Sequence, residues 1–229
     1  MIPKIIHQLW EGETLPDLYA QLGETWKNHH PGWHYEFWDG DRMKAYVKSH
    51  FPHFSDAYFG FKYDIQRWDA IRYLFLYKMG GMYVDFDCEC LHPADDYVAK
   101  EGKCFFSMEP EEHCVHFYGQ ATFYNALMAT CPGHPFFKTI IEHIFQATEF
   151  EYTGNKAYDV HRSTGPVMLR ELYRHYPNKD EIVLWPAELA SPWSKSEARS
   201  VMNGTADEPY LEKKLEKAFA VHYFFSLWA

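Results

Sequence analysis

The chain has 229 residues, 47% of them hydrophobic and 19% aromatic, which is enough to bury a substantial core, so residues 1–229 are expected to form a single domain. Its 22 Lys and Arg against 32 Asp and Glu leave a net charge of −10, which argues against a general affinity for nucleic acid but not against one face meeting a membrane. Cys88, Cys90, Cys104, Cys114 and Cys131 are an odd number without C-x-x-C spacing, so neither a disulfide framework nor a zinc site is expected, and a reducing compartment fits.

No signal peptide or long apolar span precedes Ile2-Pro3-Lys4, and the expectation is a cytoplasmic protein with at most peripheral membrane association. Lys4 to Trp10 is apolar and β-prone and ends in the turn Glu11-Gly12. In an α/β sheet such a first strand delivers its C-terminal end, here Gln8, Leu9 and Trp10, to the ligand crevice, with a core tryptophan as the alternative for Trp10. Leu15-Pro16 opens a helix to about His29, closed by Pro31-Gly32. Trp33 to Trp38 alternates as a second strand, with Asp39 placed to cap the next helix. Segments 41–50 and 52–61 read as short aromatic-rich helices, expected to form a lid or flank beside the site.

From Ile65 to Met79 apolar residues recur at helical spacing around almost the whole circumference, so this helix is expected to be buried. Asp69 and Arg72 interrupt it on one face, as an intrahelical ion pair or as functional groups. Gly80-Gly81 ends the helix, and Met82 to Asp87 begins as a strand. If extended geometry persists, Tyr83, Asp85 and Asp87 point together. Two carboxylates so close raise the pKa of one unless a cation sits between them, and all-oxygen ligation suits Mg²⁺ or Mn²⁺; a solvated acidic strand end is the alternative.

Asp69-x-x-Arg72 followed by Gly80-Gly81-x-Tyr83-x-Asp85-x-Asp87 resembles the signature of the DXD-containing sugar transferases of glycosyltransferase family 32. The opening Ile2-Pro3-Lys4-Ile5-Ile6-His7-Gln8-x-Trp10 and the run from Trp26 to Asp39 are similar to the same family. The resemblance implies a GT-A-like α/β sandwich with a mixed central sheet and a small helical annex. It implies that Asp69 and Arg72 hold donor-sugar hydroxyls and diphosphate, that Asp85 meets the ribose or metal region, and that Asp87 binds Mn²⁺. Trp10 would stack on or wall in the nucleotide base while the backbone from Gln8 to Trp10 meets its edge.

Further along, Cys104 to Glu109 and Thr122 to Ala126 are strand-like, and Pro135 to Ala147 is a helix. Tyr124-Asn125-Ala126 resembles a family segment whose Asn lies near the donor sugar, although a turn Asn looks the same. Ser163-Thr164-Gly165-Pro166 matches the family's T-G-P turn beside the reaction centre, with an ordinary N-cap by Ser163 or Thr164 as the alternative. The tail His222-Tyr-Phe-Phe-Ser226-Leu-Trp228 is similar to one that closes over diphosphate and metal. It implies His222 or Ser226 as a metal ligand and Trp228 as a diphosphate cover, ordering with the nucleotide, so its deletion is expected to lower stability only modestly.

The expected function is therefore a metal-dependent retaining glycosyltransferase. It would move a hexose from a UDP-sugar or GDP-mannose to a glycan or lipid-linked saccharide, and the lack of an anchor favours a bacterial-type enzyme at the inner face of the membrane. The rivals are a D-x-D phosphohydrolase, which would want Thr or Val where Glu89 stands, and a non-catalytic carbohydrate-binding protein.

Overall fold

The computed structural model describes residues 1–117, 119–146 and 150–225. In chain order its first half contains β1 (Ile5–Trp10), α1 (Asp17–His29), β2 (His34–Asp39), α2 (Gly40–His50), α3 (Ser55–Phe59), α4 (Asp64–Met79), β3 (Gly81–Val84) and β4 (Cys88–Cys90). The second half contains β5 (Cys104–Met108), β6 (Phe123–Thr130), α5 (Pro135–Gln146), α6 (Lys156–Ser163), α7 (Pro166–His175), β7 (Ile182–Trp185), α8 (Ala187–Ala190), α9 (Lys195–Met202), α10 (Glu208–Leu215) and β8 (Ala220–His222).

The main sheet runs β2-β1-β3-β6-β5-β7 and is mixed. β1 lies parallel to β2 and β3, β6 antiparallel to β3 and β5, and β7 parallel to β5. β3 and β6 are buried along their whole length, the signature of strands covered on both faces. Alternate residues of β3, β5 and β6 feed two cores. Tyr83, Phe106 and Met128 pack with α4 and α5 on one side, and Met82, Val84, Phe105 and Leu127 pack with Trp26 of α1 and Phe219 on the other. A third, smaller cluster around Trp193, Ala198, Leu211 and Val221 holds α9 and α10 together as an annex. Among the described residues no helix is long and apolar enough to cross a membrane.

The turn from α4 into β3 needs both of its glycines. Gly80 has φ +70°, and Gly81 has φ +99° with its Cα so near β1 that an added Cβ would lie 2.7 Å from the Ile5 carbonyl oxygen. His7 pins this turn. Its Nδ1 accepts from the Trp38 indole at 3.1 Å, so its Nε2 donates to the Gly80 carbonyl at 2.9 Å. Burial holds this ring near pKa 4, neutral at physiological pH.

The strand does not continue through the D-x-D. Extended structure ends at Val84, a turn closes with the Cys88 N–H donating to the Asp85 carbonyl at 3.1 Å, and β4 leaves to pair with β8 in a separate two-stranded sheet. Asp85 and Asp87 consequently meet different partners instead of projecting side by side.

Candidate active site

The C-terminal ends of the parallel strands β1 and β3 open onto a cavity of about 600 Å³, the crevice position expected of an α/β sheet. On one wall stand Asp69 and Arg72 of α4, each only 4% exposed. The Asp69 carboxylate accepts from Asn125 Nδ2 and from the Thr164 hydroxyl, both at 2.8 Å, and lies 3.4 Å from the Arg72 guanidinium. Arg72 also reaches Asp85 at 3.3 Å, donates to the Asn125 carbonyl at 3.0 Å, and lies over the Tyr83 ring. The ion pair read from the sequence is present, and it is one contact in a buried network that faces the cavity.

Asn125 reaches this network through an irregularity in the sheet. Phe106 of β5 pairs with Met128, but the next residue, Ser107, pairs with Tyr124, so three residues of β6 stand outside the ladder. Bulges of this kind re-aim side chains, and here Asn125 is turned onto α4. Thr164 does not cap α7, whose N-cap is Gly165. Its hydroxyl is used by Asp69, and Ser163 accepts from the Gln66 amide at 2.7 Å.

Burial sets the electrostatics. Desolvation raises Asp69 to about 6 despite the opposing effects of Arg72, Thr164 and Asn125. It also raises Asp85, where Arg72 offsets it only in part and the Asp87 charge adds to it. Asp87 goes the other way. Burial pushes it up, but the charge and hydrogen bond of His222, with the Phe225 N–H, outweigh this and hold it below the usual carboxylate range.

Asp87 Oδ1 lies 3.1 Å from His222 Nε2, and its Oδ2 accepts from the Phe225 N–H at 2.9 Å. The Tyr223 N–H donates to the Asp87 carbonyl at 2.8 Å, and Cys88 to Cys90 pair with Ala220 to His222. The tail as far as Phe225 is thus built into the fold as a strand and its extension, which corrects the expectation of a segment that orders only around nucleotide. Ser226 and Trp228 lie outside the described residues. A divalent ion fits this corner. Asp87 and His222 bring an oxygen and an imidazole nitrogen together, and His222 Nδ1 is buried with no hydrogen-bond partner among the described residues. Cys88 is close enough to join them, but burial drives its thiol pKa well up, leaving it the protonated core residue that its packing indicates.

The structure brings Leu9, Trp10, Asp69, Arg72, Asp85, Asp87, Asn125 and His222 to one cavity. Gln8 is not among them. It is wholly buried, accepts from the Tyr35 hydroxyl at 2.7 Å and lies so close to Gly23 that a Cβ there would stand 3.0 Å from its Oε1. Gly165 is displaced too, fitted against the backbone of Val160 and His161 where α6 meets α7, so its small size serves helix packing. None of residues 41–61 lines the cavity. Met43, Tyr46, Val47, Phe51 and Tyr58 instead complete the core beyond α4, which corrects the expected lid or flank. Thr164, Glu109, His113, Lys195 and Phe224 were missed as individual site residues, because their approach depends on segments far apart in the chain.

Residues 16–103, which include both α4 and the D-x-D turn, match the family model for the glycosyltransferase sugar-binding region containing the DXD motif. Over this region the chain is similar to the DXD-containing glycosyltransferases. It is 29% identical over 178 residues to inositol phosphoceramide mannosyltransferase 1 of Schizosaccharomyces pombe, covering 76% of this chain and 52% of that protein. An uncharacterized glycosyltransferase of Acanthamoeba polyphaga mimivirus is 31% identical over 179 residues, covering 77% of this chain and 66% of its own length. The chain spans about half the length of the fission-yeast protein. The UDP-bound glycosyltransferase domain of the YGT toxin superimposes with a TM-score of 0.54 at 9% identity, covering 93% of this chain and 89% of that domain. What this likeness shows is the fold, a GT-A α/β sandwich.

Proposed function

We propose that the protein is a metal-dependent, retaining glycosyltransferase that moves a hexose from a nucleotide-sugar donor to a glycan or lipid-linked saccharide. One observation carries this reading. The two acids of the D-x-D face the same cavity with different partners, Asp85 against Arg72 and Asp87 against His222, beside the Asp69–Asn125–Thr164 network. A nucleotide sugar offers matching chemistry, a diphosphate that departs carrying negative charge and a ring that presents hydroxyls.

Asp87 and His222 would hold Mn²⁺ or Mg²⁺, which when bound supplies Lewis-acid stabilisation of the leaving diphosphate. Arg72 is fixed by carboxylates on two sides and presents a planar fork to phosphate or sugar oxygens. Asp69 and Asn125 hold sugar hydroxyls, and Trp10 with Leu9 walls in the base. Because a diphosphate leaves without needing a proton, this site does not require the acid that a glycosidase uses. Retention of configuration follows from the family resemblance. The mannosyltransferase relatives make mannose the first sugar to test and a lipid-linked headgroup the first acceptor.

The test is a thermal-shift panel of UDP and GDP with Mn²⁺, followed by incubation with UDP-hexoses and GDP-mannose. Release of nucleoside diphosphate with free or transferred sugar supports the proposal. Release of inorganic phosphate would indicate a phosphohydrolase, and binding without turnover a carbohydrate-binding protein.

A further inference from the structure

Beyond His222 the same cavity continues to a group of side chains that the donor chemistry does not use. Glu109, directly after β5, lines the cavity with its side chain 9% exposed, and its Oε2 lies 2.6 Å from His113 Nδ1. The other ring nitrogen of His113, Nε2, accepts from the Lys195 backbone N–H at 2.9 Å. An amide can only donate, so Nε2 carries no proton and Nδ1 donates to Glu109. The imidazole is therefore neutral. It orients the carboxylate without cancelling its charge, and it fastens this arrangement to the first residue of α9.

A carboxylate this deep is costly unless it is met by donors. Among the described residues the other oxygen of Glu109 has no hydrogen-bond partner, and the cavity lies before it. His113 stands against Phe224, whose ring lies on His222, and it accepts from the Lys195 N–H, which places Glu109 between the metal corner and the start of α9. The third component is Phe224, which also lines the cavity. It is the non-glycine residue with positive φ, +52°, among those described, and that conformation carries strain. Its ring is wedged between the two histidines, 4.0 Å from His222 and edge-on at 4.6 Å from His113. A carboxylate oxygen, an ammonium-bearing side chain and an aromatic face beside one another match a ring that is rich in hydroxyls on its edge and apolar on its face.

We propose that Glu109, positioned by His113, forms with Lys195 and Phe224 an acceptor subsite that binds a polyhydroxylated ring, either a sugar or a cyclitol, next to the donor diphosphate. The inference rests on the transferase reading above. It adds that the acceptor hydroxyls are held by a fixed carboxylate on the far side of His222 from Asp69. His113 acts through Glu109 and is a positioning residue.

Saturation-transfer-difference NMR tests this on the full chain loaded with Mg²⁺ and UDP or GDP, with methyl α-D-mannopyranoside and myo-inositol as probes. Wild-type protein is expected to transfer saturation to at least one ring, and the stronger signal tells sugar from cyclitol. Glu109→Gln should weaken that ring's binding about 10-fold, as expected when a charged acceptor is lost, while nucleotide affinity changes less than about twofold. His113→Ala should weaken ring binding in the same direction and leave nucleotide affinity in place. Should Glu109→Gln not fold, Glu109→Asp, which keeps the charge but withdraws it, should show the same loss. No saturation transfer in wild type, or equal signal in the Glu109 variants, overturns the subsite. Failure of the wild type to bind either nucleotide would instead overturn the transferase reading on which it rests.

Discussion

Arg72 and Asp87 illustrate why identity at single positions matters more here than charge. The Arg72 side chain donates through Nε to the Trp68 carbonyl and through its terminal nitrogens to Asn125, Asp69 and Asp85, an arrangement only a planar fork satisfies. Arg72→Lys should lower donor turnover ~10²-fold or more, since at least two charge-assisted bonds are lost, and steady-state kinetics with the active nucleotide sugar would check it. Asp87→Ala should lower turnover by at least ~10³-fold, corresponding to the several kcal/mol that a Lewis acid contributes. Near wild-type, metal-stimulated turnover in that variant would remove Asp87 from the metal site. Asp69 carries a pH signature. Because its folded pKa of about 6 lies above the ordinary carboxyl value of 3.8, the folded state holds its proton more tightly than the unfolded chain does. Its contribution to stability is thus fully present below about 4 and is lost as pH rises through about 6. The stability of wild type relative to Asp69→Asn should fall between those limits and be flat above about pH 7, as read from urea denaturation at several pH values.

At the scale of elements, the helix–strand corner and the irregularity in β6 do the positioning. α4 is rigid because residues from Ala70 to Leu76 are all buried, and the double glycine lets β3 begin directly beside β1 in the sheet. Gly81→Ala should destabilise the fold by about 2 kcal/mol or more, because its φ is left-handed and the atom in the way is backbone oxygen on β1, which cannot move aside. The midpoint of chemical denaturation would show it, and an unchanged midpoint would mean that the corner relaxes freely. The break in the β5–β6 pairing acts oppositely, giving up ladder bonds to turn Asn125 toward Asp69.

For the whole molecule, the C-terminal segment is structural as well as functional. Deleting 222–229 removes His222, the Phe225 N–H and the Tyr223 hydroxyl that donates to Glu89 at 2.6 Å, leaving Asp87 buried without its partners. Stranding a buried charge costs about 3–5 kcal/mol. For a domain of this size that lowers the melting temperature on the order of 10 °C, a larger loss than the tail sequence alone implies. Scanning calorimetry of the truncated protein would decide it, and a change of a degree or two would show that β8 contributes little. What the sequence by itself determined was local: a buried helix from its all-round apolar spacing, a glycine break from the need for positive φ, Asp39 as an N-cap, and a D-x-D whose context matches one family. Only the tertiary structure decided which groups meet. Thr164 comes to Asp69 across 95 positions and His222 to Asp87 across 135, while Gln8, adjacent in sequence to the cavity-lining Leu9, turns into the core. Local propensity acts over a few residues of chain, whereas contacts between distant segments depend on how strands register and helices pack, and no short stretch of sequence encodes that by itself.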